Sequence, residues 1–430
     1  MRLITRYLVL GIGLFFLSAA SALQLELTRG LDASLPIAIF PFVGEDSTPS
    51  PTLASVIRRD FNYTGEFRVV ASGVRPETGK AFPYAAMKKA GIETAMTGEV
   101  TALSFGRYRV TAVLHDMPTA HALTTRQWTV STAQLPRLAH AISDWAYAEL
   151  TGTPGVFSTY LAYVRVDRRA FPRVKYALVV SDMDGQNPRV LLHSEQPIMS
   201  PAWSPDGQRL AYVSFEGHQA QIVVQAIATG AREVVARYPG INGAPAWSPD
   251  GEQLACVLSK TGRPKIYTYD LNTHRLTQRT QGYALDTEPA WSPDGKTLLF
   301  TSNRSGGAQI YRYELTTGKV HRVTFEGNYN ARASYLPGGK QIVMMHRDQA
   351  LFGIARMALA TGRVVPLVET GRDESPSVAP NGKMLVYATQ ARGVGVLAWV
   401  SIDGRRRWRL PDTAEVSVQS PAWSPGLVNT

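Results

Sequence analysis

Six short segments of this chain collect groups that could bind or catalyse: "EQPIMSP", "PGINGAP", "ALDTEP", "NYNARA", "GRDESP" and "EVSVQSP". They bring Glu195, Asp286, Glu288, Asp373, Glu374 and Glu415 against Arg332 and Arg372. Gathered in one place, such carboxylates suit a partner offering basic or amide groups, or a cation such as calcium, whose ligands are oxygens. Scattered, they are ordinary solvated loop polarity. Hydrolytic chemistry finds less support. No Gly-x-Ser-x-Gly elbow and no His-Glu-x-x-His pair occurs among the eight histidines, and no glycine-rich phosphate loop follows a strand. Cys256, the one cysteine, lies in the alternating run "LACVLS" and reads as a small core residue. A lone cysteine also excludes an intramolecular disulfide.

What positions the six segments is a repeat. "PAWSPDG" begins at Pro201, Pro245 and Pro289, with degenerate copies at "ASYLPGGK", "PSVAPNGK" and the terminal "PAWSP". Each copy leads through a turn into an apolar run such as "LAYVS" or "LLFTS", then a second strand such as "KIYTYDL", then a third. Asp-Gly between two strands is a hairpin signal, because glycine accepts the positive φ of the tight turn. Four short strands per period of about 40–45 residues specify a β-propeller blade. The first blade, from "YLAYVRVD" at Tyr160, lacks its Trp strand, and the last Trp strand, at Trp423, has nothing after it. Joined, they give six blades closed by the C-terminal strand, with no open sheet edge. The unequal segments before each Trp strand then ring one mouth of the central channel.

The remaining chain divides simply. Residues 1–22 read as a secretory signal, with Arg2 and Arg6, an apolar run to Leu17 and a cleavage site after Ala22. Residues 23–152 alternate strand and helix patterns and form a compact α/β domain; 153–159 is a Gly/Pro linker, and 160–430 the propeller. The formal charge of +11 spread over 430 residues does not demand an anionic partner. The densest basic run, Arg405 to Arg409, stands alone and reads as a solvated outer hairpin, not a nucleic-acid surface. The segment "LQLELTRGLD" alternates at its start and could add as a strand to a partner sheet.

This order, together with "LPIAIFPF", "SDMDG", "PIMSPAWSPDGQRLAYVSFE", "NGAPAWSPDG", "TEPAW" and "DESPSVAPNG", closely resembles the TolB family of the Tol–Pal system across the mature chain. The resemblance implies a periplasmic, non-enzymatic, monomeric binding protein without a cofactor. It implies docking of the lipoprotein Pal at the propeller mouth, hence peripheral association with the outer membrane, and contact with TolA through the mature N-terminus. Colicins can use the same mouth. Outer-membrane integrity and constriction at division are the expected roles. Carried over by motif, the Pal contact includes Ala244, Thr287 and Glu288, flanked by Asn242, Gly243, Arg332, Asp373 and Glu374. The TolA contact includes Leu23, Gln24, Leu25, Glu26, Leu27 and Thr28. The family often has histidine where Ile241 stands, so the chemistry differs there. The rival function is a propeller-bearing serine peptidase, which the missing nucleophile motif disfavours.

Overall fold

A computed structural model describes residues 34–44, 52–77, 79–170, 172–349, 351–409 and 416–426. The signal segment, the strand-like stretch from Leu23 to Thr28 and Glu415 lie outside the described residues. In the N-terminal domain β1 (Leu35–Ile39) runs parallel to β2 (Phe67–Val69) and β3 (Thr94–Leu103). Strands β4 (Arg107–Asp116) and β5 (His121–Ser131) extend the sheet antiparallel in the order β2-β1-β3-β4-β5. Helices α1 (Leu53–Thr64) and α3 (Leu135–Thr151) pack on one another, and α2 (Tyr84–Lys89) adds a single short turn beside the sheet. Both long helices stop where a glycine takes the left-handed conformation, Gly65 at φ 72° and Gly152 at φ 68°. In α3, Leu135, Leu138, Ala139, Ile142, Trp145 and Ala146 are buried, the stripe that their spacing predicts.

The rest is six four-stranded antiparallel sheets. Blades one to five carry inner strands Ile198–Trp203, Asn242–Trp247, Asp286–Trp291, Tyr329–Tyr335 and Glu374–Val378. In the closing blade the C-terminal strand Ser417–Trp423 pairs with Tyr160–Asp167, so residues from the two ends of the propeller share one sheet. The repeated tryptophan joins neighbouring blades. The indole of Trp203 donates to the Ala422 carbonyl at 3.0 Å, that of Trp247 to Ala202 at 3.0 Å and that of Trp291 to Ala246 at 3.1 Å. Each of these three repeats therefore anchors in the backbone of the one before it. The turn that follows is held from within: in blade two Ser248 Oγ donates to Asp250 Oδ1 at 2.5 Å and accepts from the Gln253 N–H at 2.9 Å. Cys256 is buried in its strand, and burial pushes its thiol up to about 12, where it is unreactive.

The N-terminal domain packs on the face that carries these turns, leaving the loops before the inner strands on the opposite face. One hydrophobic cluster runs without a break from Ile37, Phe61 and Tyr147 through Phe157 to Trp399 and Trp423. The linker is clamped, since Asp144 accepts the backbone N–H of Phe157 at 2.7 Å and of Ser158 at 3.0 Å. Across the seam Arg59 pairs with Asp184 at 2.5 Å and Lys383 with Glu66 at 3.4 Å. The basic run at Arg405 to Arg409 corrects an expectation here. It is not simply a solvated face: Trp408 meets Tyr63 of α1 edge-on at 6.1 Å, and Trp399 stacks on Tyr63 at 6.3 Å. Arg407 also donates to the Leu367 carbonyl at 2.7 Å. The apolar body of Trp408 explains this, as does the value of burying it against the helix.

Candidate functional site

Every inner strand is interrupted at the same place. Between the outer part of the strand and its Trp end the pairing skips one residue, so two residues face one on the neighbouring strand. The first residue of each bulge is left-handed: Ser200 (φ 51°), Ala244 (46°), Glu288 (54°), Arg332 (52°), Ser375 (53°) and Ser420 (52°). A non-glycine residue in that region stores strain, and such strain clusters at functional sites. All six residues line the central channel, a cavity of about 490 Å³ that the six Trp-strand segments enclose.

The ring is uneven, and its charge is confined to one side. Glu288 Oε1 lies 3.3 Å from Arg332 Nε, and Arg332 Nη1 donates to Ser375 Oγ at 2.7 Å. Glu288 Oε2 accepts from the Thr301 hydroxyl at 2.9 Å and from the Arg332 backbone N–H at 3.1 Å. A carboxylate, a guanidinium and a hydroxyl thus link three successive blades. On the other side Ser200, Ala244 and Ser420 leave the channel wall small and neutral.

Two residues before four of the six bulges stands a different kind of group. Asn242, Asp286, Asn330 and Asp373 are buried and tie down their own loops. Asn242 accepts the Tyr238 N–H at 2.9 Å and donates back to the Tyr238 carbonyl at 2.6 Å. Asp286 is 0% exposed and holds Arg304 at 2.8 Å and Lys265 at 3.4 Å. Asp373 is 1% exposed and accepts the N–H and hydroxyl of Thr370 at 2.8 and 2.7 Å. Asn242, Asp286 and Asp373, expected at the mouth, are thus buried in the isolated chain, and Asp286 is paired with two internal cations. The left-handed bulge residue two positions on lines the channel, while these side chains stay inside and make their hydrogen bonds within the chain.

Of the other expected positions, Gly243 and Thr287 are half-buried on the inner strands, opposite Val257 and Thr301. Glu374 is exposed at the start of its strand, and Arg372 beside it reaches Gln390 at 3.2 Å. Glu195 pairs with Arg173 at 3.0 Å, both well exposed. Among the described carboxylates of the mouth segments, Glu288 alone lines the channel, where it pairs with Arg332. Sequence reasoning missed Ser200, Ser375 and Ser420, which share the bulge position with Ala244, Glu288 and Arg332; their register relative to the Trp was the available signal. It also missed an apolar rim in the mouth loops: Tyr283 is 89% exposed, Phe325 74% and Ile241 49%, with Leu285 and Met199 beside them. Aromatic and aliphatic side chains held out in water around a strained polar ring have the composition of a protein-docking surface.

Comparison with known proteins agrees with this architecture. Residues 147–427 match the family model described as the TolB beta propeller domain, and residues 23–123 the TolB amino-terminal domain. Relatives called Tol-Pal system protein TolB include one from Coxiella burnetii, 58% identical over 98% of both chains. A second, from Nitrosococcus oceani, is 54% identical over 95% of this chain and 94% of its own. The crystal structure of TolB from Acinetobacter baumannii superposes with a TM-score of 0.84 at 36% identity, covering 92% of this chain and 97% of that one. The chain belongs to the TolB family of Tol–Pal system proteins.

Proposed function

We propose that this chain is a non-enzymatic periplasmic scaffold that takes the lipoprotein Pal at the propeller mouth and TolA through residues 23–32, in support of outer-membrane integrity and of constriction at division. The observation that carries the first part is the ring of six left-handed bulge residues, edged by exposed Ile241, Tyr283 and Phe325, on the face turned away from the N-terminal domain. Among the described residues that face combines exposed aromatic anchors with one charged arc, which favours a protein partner over a small substrate. Ser200, Ser375 and Ser420 have no histidine beside them in the channel lining, which favours binding over hydrolysis. The signal-like residues 1–22 favour export, with outer-membrane association through Pal. Colicins would engage the same mouth.

The test is capture of Pal and TolA by the full mature chain, by an Ala244→Arg variant and by a variant lacking residues 23–32. Ala244→Arg is preferred to a change at Glu288, because the equivalent bulge positions already hold Glu288 and Arg332 with the same backbone. Selective loss of Pal in the first variant and of TolA in the second is expected. Unchanged capture of both partners by both variants would refute the assignment.

A further inference from the structure

The seam between the domains gathers chemistry that neither docking surface uses. Helix α3 supplies His140, and the turn after Lys175–Asp182 in the closing blade supplies Asp182 and Asp184. One ligand-capable atom from each lies within 4.8 Å of the other two, and all three residues are buried. Asp60 of α1 stands behind the histidine: its Oδ2 takes His140 Nδ1 at 2.9 Å and the Ser143 hydroxyl at 2.7 Å. Its Oδ1 is buried without a hydrogen-bond partner. Arg59 Nη2 reaches Asp184 from α1 at 2.5 Å, and its buried Nε is also unpartnered.

Three carboxylates thus share a buried space with one guanidinium and one imidazole. Such an excess of negative charge is costly unless a cation compensates it. A histidine whose Nδ1 is fixed by a carboxylate keeps Nε2 for a ligand, the outer-shell arrangement that metal-binding histidines use. One imidazole nitrogen with two carboxylate oxygens suits a first-row transition cation better than calcium or magnesium, which favour all-oxygen sets. We propose that His140, Asp182 and Asp184 form a binding site for a divalent transition cation of the Zn2+ class, bridging the N-terminal domain to the propeller. Asp60 orients the histidine, and its unpaired oxygen accepts from a metal-bound water. Arg59 is the competing positive charge: a cation on Asp184 must share or displace it.

Titration of the metal-stripped, untagged mature chain with Zn2+ tests this, followed by calorimetry and thermal unfolding. One saturable equivalent and a rise in unfolding temperature are expected in the wild type. His140→Gln and Asp182→Asn should each weaken uptake at least tenfold, and Arg59→Gln should strengthen it severalfold by removing the competitor. Millimolar Ca2+ should not displace the metal. Absence of a saturable equivalent in the wild type overturns the proposal whatever the variants do. Uptake that is indifferent to His140→Gln and Asp182→Asn, or that Ca2+ abolishes, overturns it equally.

Discussion

Glu288 has two tasks that one oxygen each performs. Oε1 faces Arg332 across the channel, while Oε2 holds the Thr301 hydroxyl and the Arg332 N–H, stapling blade three to blade four at the bulge. Glu288→Ala should therefore lower stability by about 1–2 kcal/mol, the scale of losing partly buried charge-assisted hydrogen bonds. Glu288→Gln should recover most of that in urea unfolding, because it keeps an acceptor, yet still lose the charge opposite Arg332. His115 offers a second residue-scale prediction. It stacks on Phe82 at 3.8 Å and bonds Tyr84 at 3.0 Å and Thr97 at 2.9 Å, and burial lowers its pKa to about 4. The unfolded chain then binds the proton more readily between pH 6.5 and pH 4, so stability falls as pH drops through that window. Unfolding free energies measured at pH 7 and pH 4 should show the wild type losing about 2–3 kcal/mol more than His115→Gln.

The inner strand is the element on which fold and function meet, and the sequence disclosed its two ends unequally. Repetition of Trp, Pro-Asp-Gly and alternating apolar runs made the blades, their number and the split closing blade legible, because those features answer to local rules of turn and strand. The donor role of the indole was not legible, since it depends on how one blade lies against the previous one. Trp247→Phe should cost about 1–2 kcal/mol, for the bond to Ala202, and Trp247→Ala about 3–5 kcal/mol, for the cavity as well; paired thermal unfolding curves separate the two terms. At the mouth, Ala244, Glu288 and Arg332 were legible by motif and by unequal charge. The burial of Asn242, Asp286 and Asp373 was not legible, because loop carboxylates and amides look alike whether they face water or cap a turn. The bulge decides which, by turning one residue of each pair into the channel. Trp408 misled in the opposite sense: arginines on either side made a packed aromatic read as a solvated run.

At the scale of the molecule, closure of the ring and the seat of the N-terminal domain depend on the same few residues near the C-terminus. Trp423 donates to Thr159 at 2.8 Å at the end of the linker, and its strand completes the sheet that begins at Tyr160. A chain ending before Ser417 should lose cooperative unfolding and self-associate on gel filtration, because Tyr160–Asp167 would become an open edge. The seam places the described N-terminal domain against the turn face, opposite the mouth loops. Whether that mouth is the docking site is the central claim, and calorimetric titration of purified Pal into the folded chain tests it most directly. Saturable binding by the wild type, reduced at least tenfold by Ala244→Arg with the unfolding temperature unchanged, is the predicted result. Equal affinity in wild type and variant would contradict it.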